Sequence, residues 1–369
     1  MQTSLIILAL LLYGCGSNSS SNQQSTTVDN TASSSSVDTN LVMQEEPYYK
    51  YEWHLNALDS PLNTQGYTIH PEADISIEQA WSISRGLGVK VAVIDDGFEV
   101  DHEDLQGNII ATYNADDESS DVGYYGSEGA HGSSCAGFIA APLNGMGIVG
   151  VAPDAKLILI KHENGSDASL IRAFEYAKNQ GAKVISCSWG TEQVSEAVEA
   201  KLQSLYNAGI TVLFASGNDG KDLDTEGLDD ESEVEWVIGV GASSESNDVT
   251  SYSNYGANID LLAPGGDIEI SSGLLALDDM GREGLKHQRG LVNENYSFTE
   301  GTSFACPIAA GVVALLYSRE PTITPKEVRE RLIETAQKVG SATYSEEGFD
   351  ISKRRGYGKI DAAKAVGSL

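Results

Sequence analysis

The sequence predicts an α/β fold, a mostly parallel central sheet with helices on both faces in three layers. Two observations carry that expectation. Short, nearly continuous apolar runs at 89–94, 157–160, 184–187, 210–215, 237–240 and 259–263 have the length and composition of strands buried on both faces. Between several of them lie segments with helical spacing of apolar residues, notably 169–179 and 194–207. Such alternation folds as strand–helix–strand crossovers of a parallel sheet, whose functional side chains sit past the carboxyl ends of the strands.

At the amino end, residues 5–13 are apolar. A run that short does not cross a hydrocarbon core of about 30 Å as a helix, but it suits the hydrophobic region of a signal peptide. Leu12-Tyr13-Gly14-Cys15 then resembles a bacterial lipobox, although no Lys or Arg precedes the run. The expectation is a lipoprotein signal peptide at 1–14, lipid on Cys15, and a disordered Ser/Thr-rich tether over 15–46. Its composition buries too little apolar surface to order itself, and some 30 such residues reach about 30 Å. The protein is thus expected in the bacterial cell envelope, lipid-anchored and facing outside the cytoplasm.

Residues 47–369 are expected to form one domain. A helical segment at 77–81 leads in, and the run 89–94 ends in Asp95-Asp96-Gly97. His131 opens a stretch of small residues, His131-Gly132-Ser133-Ser134-Cys135-Ala136-Gly137. Near the far end, Gly301-Thr302-Ser303 runs into the apolar segment 308–317, and helices at 325–336 and 361–366 close the chain. Ahead of Gly301, 265–295 reads as a surface insertion. The formal net charge of −31 excludes the basic footprint of a nucleic-acid binder. Four scattered cysteines, Cys15, Cys135, Cys187 and Cys306, make neither a disulfide scaffold nor a zinc site.

Ser303 at a helix start has a plain reading as a cap. Asp95 after a strand could be a loop acid. Together with His131 they supply what serine nucleophilic catalysis requires: a hydroxyl, a base for its proton and an acid to orient the base. The order Asp, His, Ser along the chain is the one found in subtilisin.

With Val93-Ile94-Asp95-Asp96-Gly97, His131-Gly132, Ala215-Ser216-Gly217-Asn218 and Gly301-Thr302-Ser303 all present in order, residues 50–366 resemble a subtilisin-family serine protease. The resemblance implies Ser303 as nucleophile, His131 as general base, Asp95 as its orienting acid and Asn218 as oxyanion donor. It implies a polypeptide substrate, acyl-enzyme chemistry, no catalytic cofactor and a monomer. The segment Ser186-Cys187-Ser188-Trp189-Gly190 resembles the family's substrate-binding strand, with Ser188 and Gly190 pairing to peptide backbone and Trp189 walling a pocket. Three details resemble the kexin-like branch: Asp95-Asp96-Gly97, Cys135-Ala136-Gly137 and Ser186-Cys187-Ser188-Trp189-Gly190. They imply Asp96 facing a basic residue of the substrate and Asp229 at the base of a pocket for the residue before the cleaved bond. Gln193 stands where that branch has a second pocket acid, and Leu262-Ala263-Pro264-Gly265 is closer to bacterial subtilisins. Asp104 and Asn144 match positions that hold a structural Ca²⁺ in many members. Two other readings are a catalytically silent binding lipoprotein on the same scaffold and an esterase, though Ser303 lacks the Gly-x-Ser-x-Gly elbow of the latter.

Overall fold

The computed structural model describes residues 46–124, 131–191, 193–225, 228–269, 271–281, 295–341, 343–345, 348–350 and 352–367. Cys15, the signal segment and the tether up to residue 45 lie outside the described residues. Glu46, assigned to the tether from sequence, is instead buried against the domain, its carboxylate accepting the Asn144 and Gly145 N–H groups.

The strands are β1 Lys90–Asp95, β2 Ile109–Asn114, β3 Lys156–Lys161, β4 Val184–Cys187, β5 Thr211–Ala215, β6 Ile238–Ser243 and β7 Ile259–Pro264. They form one sheet in the order β2-β3-β1-β4-β5-β6-β7 with every pairing parallel. Side chains alternate between two cores. Val91, Val93, Leu157, Leu159 and Leu213 face one, and Ala92, Ile94, Ile158, Ile160 and Phe214 face the other. Burial on both faces is why these strands read as continuous apolar runs. β2 escaped that reading because it is an edge strand with mostly half-buried side chains. A second, antiparallel pair joins β8 Leu274–Leu277 to β9 Tyr296–Thr299. β8 is wholly buried, so part of the stretch expected to be a surface insertion belongs to the core.

The helices are α1 Ile77–Trp81, α2 His131–Ala140, α3 Asp167–Asn179, α4 Glu196–Asn207, α5 Thr302–Arg319, α6 Pro325–Thr335 and α7 Ala362–Gly367. Serine caps set two of the starts: Ser166 accepts the Ser169 N–H before α3, and Ser195 accepts the Val198 N–H before α4. α6 begins with a capping box between Thr324 and Glu327. α3 and α4 cover one face of the sheet, while α2 and α5 cover the other. α2 had no helical period to detect, because nine of its ten residues are buried and no polar face remains. α5 is long and apolar enough to cross a membrane by composition, but it lies buried in the core beside the sheet.

Candidate active site

Strands β1, β4 and β5 are neighbours, so whatever follows their carboxyl ends emerges side by side. Asp95 is the last residue of β1, Ser188 follows β4, and Asn218 lies three residues past β5. The amino ends of α2 and α5 bring His131 and Ser303 to the same place. His131 Nδ1 lies 2.7 Å from Asp95 Oδ1, and the carboxylate fixes the ring's Nδ1–H as the donor. Asp95 is 2% exposed and also accepts the Asp96 N–H at 3.0 Å. Glycine follows His131 because a Cβ at 132 would strike the Gly97 carbonyl and Asp95 Cβ. Burial alone would raise the Asp95 carboxyl, but the His131 charge and hydrogen bond outweigh it and hold it below the ordinary range. Burial likewise would lower His131, and Asp95 overcomes it, keeping the imidazole well above the usual histidine value.

Gly301, with φ +141°, makes the turn into α5, a conformation that favours glycine. Four residues after Ser303 stands Pro307, which has no N–H to close the helical bond to the Ser303 carbonyl. That carbonyl instead accepts the Ser188 hydroxyl at 2.7 Å and the Cys135 thiol at 3.4 Å. The proline therefore turns the Ser303 carbonyl into an anchor between α2, β4 and α5. The Ser303 hydroxyl donates to the Ser188 carbonyl at 3.2 Å rather than to His131. A change of serine rotamer redirects it at small cost, and such bonds tighten when substrate binds.

Asn218 Oδ1 accepts both the Thr302 N–H at 2.8 Å and the Thr302 hydroxyl at 2.9 Å. Thr302 Oγ1 in turn accepts the Gly217 N–H at 3.1 Å. With its carbonyl side so tied, the Asn218 amide has its NH₂ left to meet an oxyanion, next to the Ser303 N–H at the head of α5. The clamps formed by Thr302, Ser188 Oγ and Pro307 were not foreseen from sequence. Their one visible signal was the proline four residues after the serine.

On the substrate side, Trp189 is half-buried, donates its indole N–H to the Ile94 carbonyl at 2.9 Å and packs edge-on to Phe214. It walls a cleft of about 350 Å³ that also takes in Leu170, Val198 and the acids Glu163, Asp167 and Glu231. Gly190 is exposed, and Thr191 beyond it is held by Glu231, which accepts its N–H at 2.9 Å and its hydroxyl at 2.7 Å. Burial and the Asp95 charge push the Asp96 carboxyl up to about 7. Asp229, expected at the base of a pocket, is exposed, and its carbonyl accepts the Val194 N–H. The buried carboxylate against Gly190 is that of Asp230, which caps a short 3₁₀ turn through the Ser232 N–H.

Asp104 and Asn144 do come together, Asn144 Nδ2 donating to Asp104 Oδ1 at 3.1 Å. Asp104 is fully buried, and burial followed by the nearby Glu46 charge pushes its carboxyl up to about 8. Glu52, also buried, is raised by burial and by Asp104 and Glu46. The carboxyl groups of Asp104, Glu52 and Glu46 gather near the 143–149 loop, oxygen donors of the kind a hard cation takes. Asn144 also braces the loop, its Oδ1 accepting the Met146 N–H at 2.8 Å with its second lone pair available to a cation.

The family model of the subtilases matches residues 86–358. The chain is 31% identical over 350 residues to the calcium-dependent protease of Trichormus variabilis, covering 85% of this chain and 50% of that protein. It is 32% identical over 335 residues to a thermophilic serine proteinase of a Bacillus species, covering 88% and 73%. It spans about half the length of the calcium-dependent proteases it matches. Among solved structures, a protease of Pseudoalteromonas arctica aligns with TM-score 0.71 and 26% identity over 88% of this chain and 99% of that one. A lanthipeptide protease aligns with TM-score 0.67 and 26% identity over 90% and 98%.

Proposed function

Because the chain belongs to the subtilase family, we propose that it is a serine endopeptidase in which Ser303, His131, Asp95 and Asn218 do the chemistry. The observation that carries this is the 2.7 Å bond from His131 to Asp95 beside Ser303. With the ring proton held on Nδ1, Nε2 keeps a lone pair to take the Ser303 proton as Oγ attacks the peptide carbonyl. Charge then gathers on the carbonyl oxygen, where the Asn218 amide and the Ser303 N–H stabilise it. The imidazolium returns its proton to the departing amine, and water releases the acyl group by the same relay. An extended peptide adds as a strand along residues 188–190, held by main-chain bonds.

The reading extends to substrate and setting. Asp96, together with the acids of the Trp189 cleft, supports a preference for cationic side chains before the scissile bond, with Asp230 in place of Asp229 near Gly190. Asp104 and Glu46, with Asn144 as brace, would hold a Ca²⁺ whose charge offsets the buried carboxylates and fastens the lead-in segment to the loop. Cys15 carries the lipid that tethers a monomer to the envelope outside the cytoplasm. The test is labelling of the full chain by a serine-reactive fluorophosphonate. Labelling is expected to vanish in Ser303→Ala with the melting temperature unchanged. A folded wild-type chain that neither labels nor cleaves a mixed peptide library refutes the reading and leaves a binding protein on a protease scaffold.

A further inference from the structure

Strands β6 and β7 run side by side, so Glu245 and Asp267, just past their carboxyl ends, emerge on the same edge of the sheet as the catalytic group. The chain crosses itself tightly there. The Gly265 and Gly266 N–H groups both donate to the Ser243 carbonyl, and a Cβ on Gly266 would meet the Gly273 backbone at 3.0 Å. Ser272 and Gly273 close over Glu245, which is 1% exposed. Glu245 Oε1 accepts the Gly273 N–H at 2.8 Å and the Ser272 hydroxyl at 3.4 Å, whereas Oε2 is buried and accepts no hydrogen bond. Asp267 is also buried, and its carbonyl accepts the Ser271 N–H at 2.8 Å. A carboxylate oxygen shut away from water without a donor is costly, and a cation removes that cost. Burial pushes the Glu245 carboxyl up to about 7; backbone N–H groups pull it the other way, and the Asp267 charge adds to the rise.

From this arrangement we propose that Glu245 Oε2 and the Asp267 carboxylate hold a Ca²⁺ ion beneath the Ser272–Gly273 crossing, a site that shares no residue with the one at Asp104. Both donors are hard oxygens, which disfavours ions that seek sulfur or nitrogen. Two carboxylates neutralise a divalent charge. Because both residues are buried, the ion must leave most of its water behind, which Mg²⁺ does reluctantly. Backbone carbonyls and remaining water complete the coordination.

The ion fastens the segment behind the nucleophile. The Gly301 N–H donates to the Gly265 carbonyl at 2.9 Å, and the Glu300 carboxylate accepts the Ile268 N–H. What this does for catalysis rests on the endopeptidase reading; the binding does not.

The experiment titrates Tb³⁺, a luminescent stand-in for Ca²⁺, into the full chain carrying Ser303→Ala and Asp104→Asn, so that neither turnover nor the other cation site intrudes. Trp53 is the reporter, since its indole N–H donates to the Gly273 carbonyl at 2.8 Å. The expected result is tryptophan-sensitised terbium emission that saturates at one ion per chain and is displaced by Ca²⁺ but not by equal Mg²⁺. Trp53→Phe should dim it. Glu245→Gln, which keeps an oxygen for the Gly273 N–H, and Asp267→Asn should each weaken terbium binding by at least about tenfold, since even outer-shell changes cost that much at metal sites. Absence of the emission overturns the proposal, as does emission undiminished by loss of Trp53, Glu245 or Asp267. Should Asp104→Asn fail to fold, the count of Ca²⁺ bound with Asp104 intact takes its place. Glu245→Gln must then lower that count by one, and an unchanged count overturns the proposal. A chain that binds the ion in this way but, with Ser303 intact, never cleaves peptide refutes the endopeptidase reading and leaves the site standing.

Discussion

Thr302→Val tests whether the oxyanion amide is set by its neighbour. The substitution keeps the side-chain volume and the Thr302 N–H bond to Asn218, but deletes the 2.9 Å hydroxyl bond to Asn218 Oδ1 and orphans the Gly217 N–H. Thr302 is fully buried, so the orphaned donor costs about 1–3 kcal/mol of stability. Loss of one of two restraints on the amide is worth about 0.5–1.5 kcal/mol, up to about tenfold in rate. Asn218 removed outright is expected to cost on the order of 10²–10³ in kcat. Because the oxyanion exists only in the transition state, kcat should fall while KM holds. Steady-state kinetics on one peptide, alongside thermal melts, measure both. Thr302→Ser, which keeps the hydroxyl, should recover the rate. In an Asn218→Ala background the valine should cost no further rate, since the two residues act as one. An equal penalty in both backgrounds refutes the argument that Thr302 acts through Asn218.

The remaining expectations concern charge. His131 is held above its ordinary value by Asp95 and must be neutral to accept a proton. Activity should therefore rise through a pH above about 6.5, and Asp95→Asn should cost about 10⁴ in kcat; an ascending limb at or below that pH in wild type counts against the pairing. Asp104 has a raised folded value of about 8, so without a cation its ionisation lowers stability as pH climbs from the ordinary carboxylate range through about 8. At pH 8, chelation of a Ca²⁺ present at about 100 times its Kd should remove about 2.7 kcal/mol, or about 5 °C in Tm. Asp104→Asn should abolish that response, and an unchanged chelator response in the variant puts the ion elsewhere. Asp96→Asn should lower kcat/KM about 10-fold or more for peptides with Arg or Lys near the scissile bond, as for loss of a charged hydrogen bond. Peptides with Phe there should be unaffected, and equal losses for both would remove Asp96 from specificity.

What the sequence determined by itself is what local pattern encodes. Runs buried on both faces declared β1, β3, β4 and β5, helical spacing of apolar residues marked α3 and α4, and glycine-flanked Asp95, His131 and Ser303 stood out together as a candidate set. Asn218 joined them through the resemblance of Ala215-Ser216-Gly217-Asn218 to the family's motif. Elements with mixed or total burial did not declare themselves: β2 at the edge, α2 with no polar face, and β8 inside a stretch that looked like surface. Tertiary structure alone decided how the site is clamped. The Ser303 carbonyl is freed by Pro307 in its own helix, but Ser188 and Cys135 receive it from 115 and 168 residues away. Thr302 reaches Asn218 across 84 residues. It also decided that Asp230, and not Asp229, is the carboxylate against Gly190. Hydrogen bonds of this kind depend on distances of a few ångströms between segments that only the packed sheet brings together, and no spacing along the chain records them.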